Sequence, residues 1–326
     1  MRTIRRTTLT FLVVALTLPV LGWAQGDFEK GISYYKQGQY TKAVQEFEQL
    51  VKADPKYESG YRVLGDSYLK LHQYDKAVEA FKHAADLNSR NFSSFLGAAV
   101  GQFNLGHYQE AIDTLESGKA AAKAPKERYQ LFQLRGSSYY NLKEYTQAVA
   151  DLEKAVSIQR GGYNDVLQLG LSYLELGNYA KAQLYLEQAA ALGDDGGKAR
   201  NFLERVDYRR ALAAIRQEKY AQASQMLTQF VKAHPNDAEA WYNLGLAQLF
   251  SKQLDDARKS FEKCTNLSSS NADAFRRLGY INEIQKRYEA SLKNYRKALE
   301  LKSDPSDQKS IQRVEERIRR QKQSTG

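Results

Sequence analysis

Cysteine is almost missing from these 326 residues, and that scarcity removes two classes of protein at once. The single Cys264 excludes an internal disulfide framework and any multi-cysteine metal site. Proline is also scarce, at 5 residues, so few positions force a helix to end. The four histidines, His72, His83, His107 and His234, never pair at metal-ligand spacing. There is no His-Glu-x-x-His, no Gly-x-Ser-x-Gly and no phosphate-binding glycine loop, so the sequence implies no cofactor and no catalytic centre. Tyrosine, by contrast, occurs 22 times, and its apolar body with a polar tip suits half-exposed helix faces. With 42% hydrophobic and 26% charged residues, the composition is ordinary for a packed, all-α protein.

The one long apolar run lies at the N-terminus. Arg2, Arg5 and Arg6 precede it, it extends from Leu9 to Leu21, and Gly22, Trp23 and Ala24 close it with small outer residues. That order predicts a secretory signal peptide over 1–24, cut after Ala24. The run is about 15 residues at most, short of the roughly 20 that a spanning helix needs, although an uncleaved anchor is the alternative. No cysteine stands near the cleavage site to carry a lipid. The rest of the chain is expected to be exported, to the periplasm or the medium.

Beyond the leader the chain repeats. Small residues recur at Gly31, Gly65, Ala99, Gly136, Gly170, Ala211, Gly245 and Gly279, at intervals of 34, 34, 37, 34, 41, 34 and 34. A second series, Ala43, Ala77, Ala111, Ala148, Ala182, Ala223, Ala257 and Ser291, keeps the same intervals. Four residues after each of these stands a large one: Phe47, Phe81, Leu115, Leu152, Leu186, Leu227, Phe261 and Tyr295. Small residues let two helix backbones approach, and large ones fill the adjoining layer. Gly38, Gly106 and Gly177 suit helix C-termini that need positive φ, while Pro55 and Pro235 stop second helices. Cys264 stands where other copies have Ala84, Ala155, Ala189 and Ala298, and so reads as a small core residue.

The clearest copy is Tyr61, Leu64, Gly65 and Tyr68, then Tyr74, then Ala77, Phe81 and Ala84. It resembles the tetratricopeptide motif, Trp-x2-Leu-Gly-x2-Tyr followed by Ala-x3-Phe. The resemblance implies a right-handed α-solenoid of about eight helix hairpins. Two interruptions divide it: three extra residues between the third and fourth units, around Pro125 to Arg128, and seven extra between the fifth and sixth, where Gly193 to Gly197 make a loop. Residues 198–217 then read as one long first helix, with a change of superhelical pitch before it. The expected organisation is therefore hairpins over 25–196, further hairpins over 197–305, and a basic capping helix and tail over 306–326. Ile311, Val314 and Ile318 give that last helix, expected over 307–322, a thin apolar stripe for covering the final hairpin, with 323–326 expected to fray.

In tetratricopeptide proteins the first helices line a groove, through motif positions two, five, nine, twelve and thirteen. Carried onto this chain, positions five, nine and twelve give Leu96, Val100 and Phe103, then Gln133, Ser137 and Tyr140, then Leu167, Leu171 and Leu174. Later hairpins supply Tyr208, Leu212 and Ile215, then Tyr242, Leu246 and Leu249, continued by Phe250. So much apolar area where water is expected points to a protein or peptide partner, such as an amphipathic helix. A clamp for C-terminal carboxylates, which resembling proteins build from Asn at position nine, is not expected, because Ile32, Asp66, Val100, Ser137, Leu171, Leu212, Leu246 and Tyr280 stand there.

Charge is uneven. Residues 272–326 hold 14 Lys or Arg against 8 Asp or Glu, whereas the body before them is nearly neutral. The reading that results is a non-catalytic scaffold or adaptor of the cell envelope, of the kind that resembling exported proteins provide for envelope assembly or polymer export. The alternative is a module for glycans or anionic membrane surfaces acting through the basic C-terminal end. Nucleic acid is not an expected partner of a chain with so neutral a body.

Overall fold

Helices of 13 and 14 residues alternate along most of this computed structural model, which describes residues 28–193 and 196–325. The leader expected over 1–24 lies outside them. The described residues contain no strand. Contacts divide the chain into two units, Met1–Asp194 and Asp195–Gly326.

The first unit runs α1 (28–36), α2 (Tyr40–Ala53), α3 (Glu58–Lys70), α4 (Tyr74–Leu87), α5 (Phe92–Asn104) and α6 (Tyr108–Gly118). A 3-10 turn (Lys119–Ala121) leads to α7 (Pro125–Asn141), α8 (Tyr145–Ile158), α9 (Tyr163–Glu175) and α10 (Tyr179–Gly193). The second unit runs α11 (Lys198–Arg216), α12 (Tyr220–Ala233), α13 (Ala238–Phe250), α14 (Leu254–Leu267), α15 (Ala272–Ile284), α16 (Tyr288–Leu301) and α17 (Pro305–Thr325). Within each unit successive helices pack as antiparallel hairpins on their neighbours, the α-solenoid pattern.

The paired small and large residues explain the hairpins. Ala43, Ala77, Ala111, Ala148, Ala182, Ala223, Ala257 and Ser291 are all 0% exposed. A Cβ built on Gly65 would stand 2.8 Å from the Phe81 ring, and one on Gly245 2.9 Å from Phe261. Where the large partner is aromatic (Phe47, Phe81, Phe261, Tyr295) the small one is always glycine. Ala99 and Ala211 occur only opposite the slimmer Leu115 and Leu227. Gly136 and Gly170 face leucines as well, Leu152 and Leu186, and a Cβ on either would stand 2.9 Å from the leucine, so close packing also demands glycine there.

Every turn inside a hairpin passes through positive φ. Gly38, Gly106 and Gly177 take it as expected, and His72, Lys143, Glu218, Lys252 and Lys286 take it without glycine, at φ of 57° to 65°. Between hairpins, Asn91, Asp237 and Asn271 accept a backbone N–H of the following helix and cap it.

The two interruptions are accommodated differently from the regular junctions. The three extra residues lengthen α7 to 17 residues, with Pro125 at its first turn. Six of the seven extra fall within α11, 19 residues long against the usual 13, which matches the long helix expected there. Cys264 is buried beside Phe261 and Leu278, and desolvation pushes its thiol up to about 11. Helix α17 continues to Thr325, beyond its expected end, with Val314 fully buried and Ile311 and Ile318 half-buried.

Candidate partner-binding face

In the first unit, Leu96, Val100 and Phe103 are half-buried against the core of Leu115, Leu131 and Leu134. Phe103 meets Tyr108 edge-on at 5.2 Å, and Tyr140 meets Tyr145 in the same way at 5.9 Å. Between them the face is polar: buried Ser137 donates from Oγ to Gln168 Oε1 at 2.7 Å. Desolvation holds the Asp66 carboxyl above its usual range, opposed by Arg62 and Lys70.

Leu167, Leu171 and Leu174 do not line an accessible surface. They are 4%, 8% and 2% exposed. Helix α9 is contacted by α7, α8 and α10, so residues 169–174 are buried on every side of the helix. Leu249 is likewise only 8% exposed, packed with Phe261 and Leu278. These four candidates are corrected to core residues.

The second unit keeps more of its face open. Tyr208 stacks on Phe230 at 4.7 Å and accepts from Asn243 Nδ2 at 2.9 Å, and burial pushes its phenol up to about 12. Leu212, Ile215, Tyr242 and Leu246 are half-buried. Phe250 is 48% exposed and rests against Tyr220 at 4.9 Å, while Tyr280 and Ile284 are each 46% exposed. Phe250 and Ile284 are one 34-residue interval apart, so they hold the same motif position on α13 and α15. Tyr280 lies one turn before Ile284 on the same helix face. Neither Tyr280 nor Ile284 stood out in the sequence, because their hairpin carries Arg276 and Glu283 at positions five and twelve. Taking position nine there as a lining position, and not only as evidence against an asparagine clamp, together with position thirteen, finds both. The other large exposed apolar residues, Leu87, Leu176, Leu184 and Leu192, lie on second helices or in a turn.

Beside this patch α17 is fastened by arginines. Arg276 donates twice to buried Asp307, at 2.8 and 2.8 Å. Arg313 donates twice to buried Glu283, also at 2.8 and 2.8 Å, and Arg317 stands 3.5 Å from the same carboxylate. The Arg313 bonds hold the Glu283 carboxyl below its ordinary range against the opposing effect of burial.

Comparison with known proteins agrees with this architecture. Models described as tetratricopeptide repeat match residues 208–264 and 251–307, and 129–161 and 166–192. A third, repeat-type model, described as anaphase-promoting complex, cyclosome, subunit 3, matches 36–118. No curated protein matches the chain. Among solved structures, the C-terminal part of a TPR repeat-containing protein from Cytophaga hutchinsonii is similar over 77% of this chain and 99% of that one. Identity is 16% and the TM-score 0.52, a likeness of fold alone. A crystal structure of MamA aligns with 52% of this chain and 96% of its own at 23% identity, with a TM-score of 0.47. The P58(IPK) TPR domain covers 91% of this chain and 99% of its own at 14% identity, with a TM-score of 0.36. With the hairpins, their glycine–aromatic pairs and the matched models in agreement over both units, this chain belongs to the tetratricopeptide-repeat family.

Proposed function

We propose that this chain is a non-catalytic scaffold that captures a segment of a partner protein on the first-helix face of its second unit. Tetratricopeptide repeats are protein-interaction modules, and the finer reading rests on one observation. Phe250, Tyr280 and Ile284 stand about half-exposed at lining positions of two consecutive hairpins. Single exposed apolar residues are ordinary. A set of three on one face, flanked by half-buried Tyr242 and Leu246, is what an amphipathic segment needs to anchor itself.

The site of action we propose is the cell envelope, reached through the leader over 1–24. N-terminal sequencing of the protein from culture tests that part: a start at Gln25 supports export, and an intact Met1 with cytoplasmic fractionation contradicts it. For the face, affinity capture from the envelope fraction compares the native chain with a Phe250→Ser, Tyr280→Ser, Ile284→Ser variant. Loss of the captured protein with unchanged helicity supports the reading. Equal capture by both contradicts it.

A further inference from the structure

The charges around the exposed patch say what kind of segment fits it. Glu283 lies between Tyr280 and Ile284 on α15, and its carboxylate is the shared partner of Arg313 and Arg317. Two guanidinium groups thus converge on one buried carboxylate, and both are themselves nearly half-exposed, at 46% and 45%. Arg313 takes the paired, fork-like geometry, whereas Arg317 is held at 3.5 Å by a single nitrogen. One positive charge is left over, at the carboxylate that stands between Tyr280 and Ile284 in the α15 sequence. Its own helix does not cancel it: α17 carries six Lys or Arg against three Asp or Glu, and all three acids are paired, Asp307 with Arg276, Glu315 with Arg296 and Glu316 with Arg320. The acid that another helix brings beside the patch, Asp255, accepts from Gln285 Nε2 at 3.0 Å. Lys252 and Lys286, both exposed in positive-φ turns, directly follow the α13 and α15 ends that carry Phe250 and Ile284.

We infer that the partner segment is acidic: apolar side chains seated on Phe250, Tyr280 and Ile284, with a carboxylate beside them paired to Arg317. This rests on the reading that the face captures a protein segment, and adds the chemistry of that segment. A guanidinium already oriented by a fixed carboxylate loses little freedom on accepting a second one, and the adjoining apolar contact excludes water and strengthens the pair. Complementary charge also sets which partners are rejected: a basic amphipathic segment would meet Arg313, Arg317, Lys252 and Lys286 with like charge.

The test is a random dodecapeptide display library panned against the full chain, with the enriched peptides then measured individually. Arg317→Gln is the informative variant, because Arg313 keeps Glu283 paired and α17 in place, which a thermal melt verifies. Enriched peptides should combine Leu, Ile, Phe or Trp with Asp or Glu. Their affinity should fall roughly tenfold in Arg317→Gln and in Phe250→Ser, and should weaken as salt screens the pair. Enriched peptides that are apolar without acidic residues, or indifferent to Arg317→Gln, overturn the acidic assignment and leave the capture reading standing. No enrichment above an unrelated helical protein, or binding indifferent to Phe250→Ser and Ile284→Ser, overturns both. Vesicles of phosphatidylglycerol are sedimented with the chain in parallel. Co-sedimentation that is lost in Phe250→Ser assigns the face to a lipid surface and also overturns the inference.

Discussion

The most demanding structural consequence concerns Arg135. It occupies the motif position filled by Leu64, Leu169, Leu244 and Leu278 in other hairpins, and its side chain is only 8% exposed. Its Nε and Nη2 donate to Asp151 at 2.6 and 3.0 Å, and Asp151 is 4% exposed. Glu116, half-exposed on α6, takes the remaining Nη1. The α7–α8 hairpin therefore holds a desolvated ion pair where its neighbours hold hydrocarbon. Removing one member strands a buried charge, which costs about 3–5 kcal/mol, while replacing both with well-packed apolar residues is often neutral or stabilising. The replacement is already written in the α3–α4 hairpin, where Leu64 and Ala80 hold the equivalent positions and are both buried. Arg135→Leu alone should thus cost up to about 3–5 kcal/mol, with only the exposed Lys154 Nζ, 3.6 Å away, left beside Asp151. Asp151→Ala should cost less, because Glu116 still pairs with the guanidinium. The double variant should return to within about 1 kcal/mol of the native chain. Repeats report locally, so the assay is amide hydrogen exchange in α7 and α8. At 1.4 kcal/mol per tenfold, the single leucine variant should exchange there roughly two to nearly four orders of magnitude faster. Costs that simply add in the double variant, or a single variant that exchanges like the native chain, would refute the reasoning.

Three further outcomes follow from the same geometry. Gly65→Ala should destabilise by about 1–3 kcal/mol through overpacking on Phe81, which Gly97 hems in from the other side; a chemical-denaturation series checks it. Glu283 has a depressed folded-state pKa, so its stabilisation of α17 is fully present above its ordinary value of 4.5 and is lost as pH falls through the lower folded value. Limited proteolysis of α17 should therefore accelerate only below about pH 4.5, and Glu283→Gln should lessen that dependence and weaken docking throughout, leaving the part carried by Asp304, whose carboxyl the Ser306 bonds also hold low. Cys264, fully buried with its thiol pushed up to about 11, should resist aromatic disulfide reagents at neutral pH until the second unit is unfolded by urea.

The fold was legible because each structural demand leaves a local mark. The glycine opposite an aromatic, the alanine at the hairpin crossing and the stripe of Ile311, Val314 and Ile318 are visible without coordinates. The length of α11 could be read for the same reason. The face was harder to read. Motif position says which way a residue points relative to its own hairpin, but not how many neighbours reach it, so Leu167, Leu171 and Leu174 looked accessible although α7, α8 and α10 enclose their helix. Tyr280 and Ile284 were masked by the charged Arg276 and Glu283 on the same helix, whose partners Asp307 and Arg313 come from about 30 residues later. The Arg135–Asp151 pair escaped notice because an arginine at a leucine position makes sense only once its carboxylate is seen beneath it.

The proposed partner segment lies across Phe250 and Ile284. A photoreactive phenylalanine analogue placed in turn at 250, 284 and the exposed second-helix position 184 tests it in intact cells, with each variant illuminated and the adducts resolved by mass. A discrete adduct from 250 and 284, of one partner, and none from 184 is the expected outcome. Adducts of equal yield from all three positions, or from 184 alone, would contradict it.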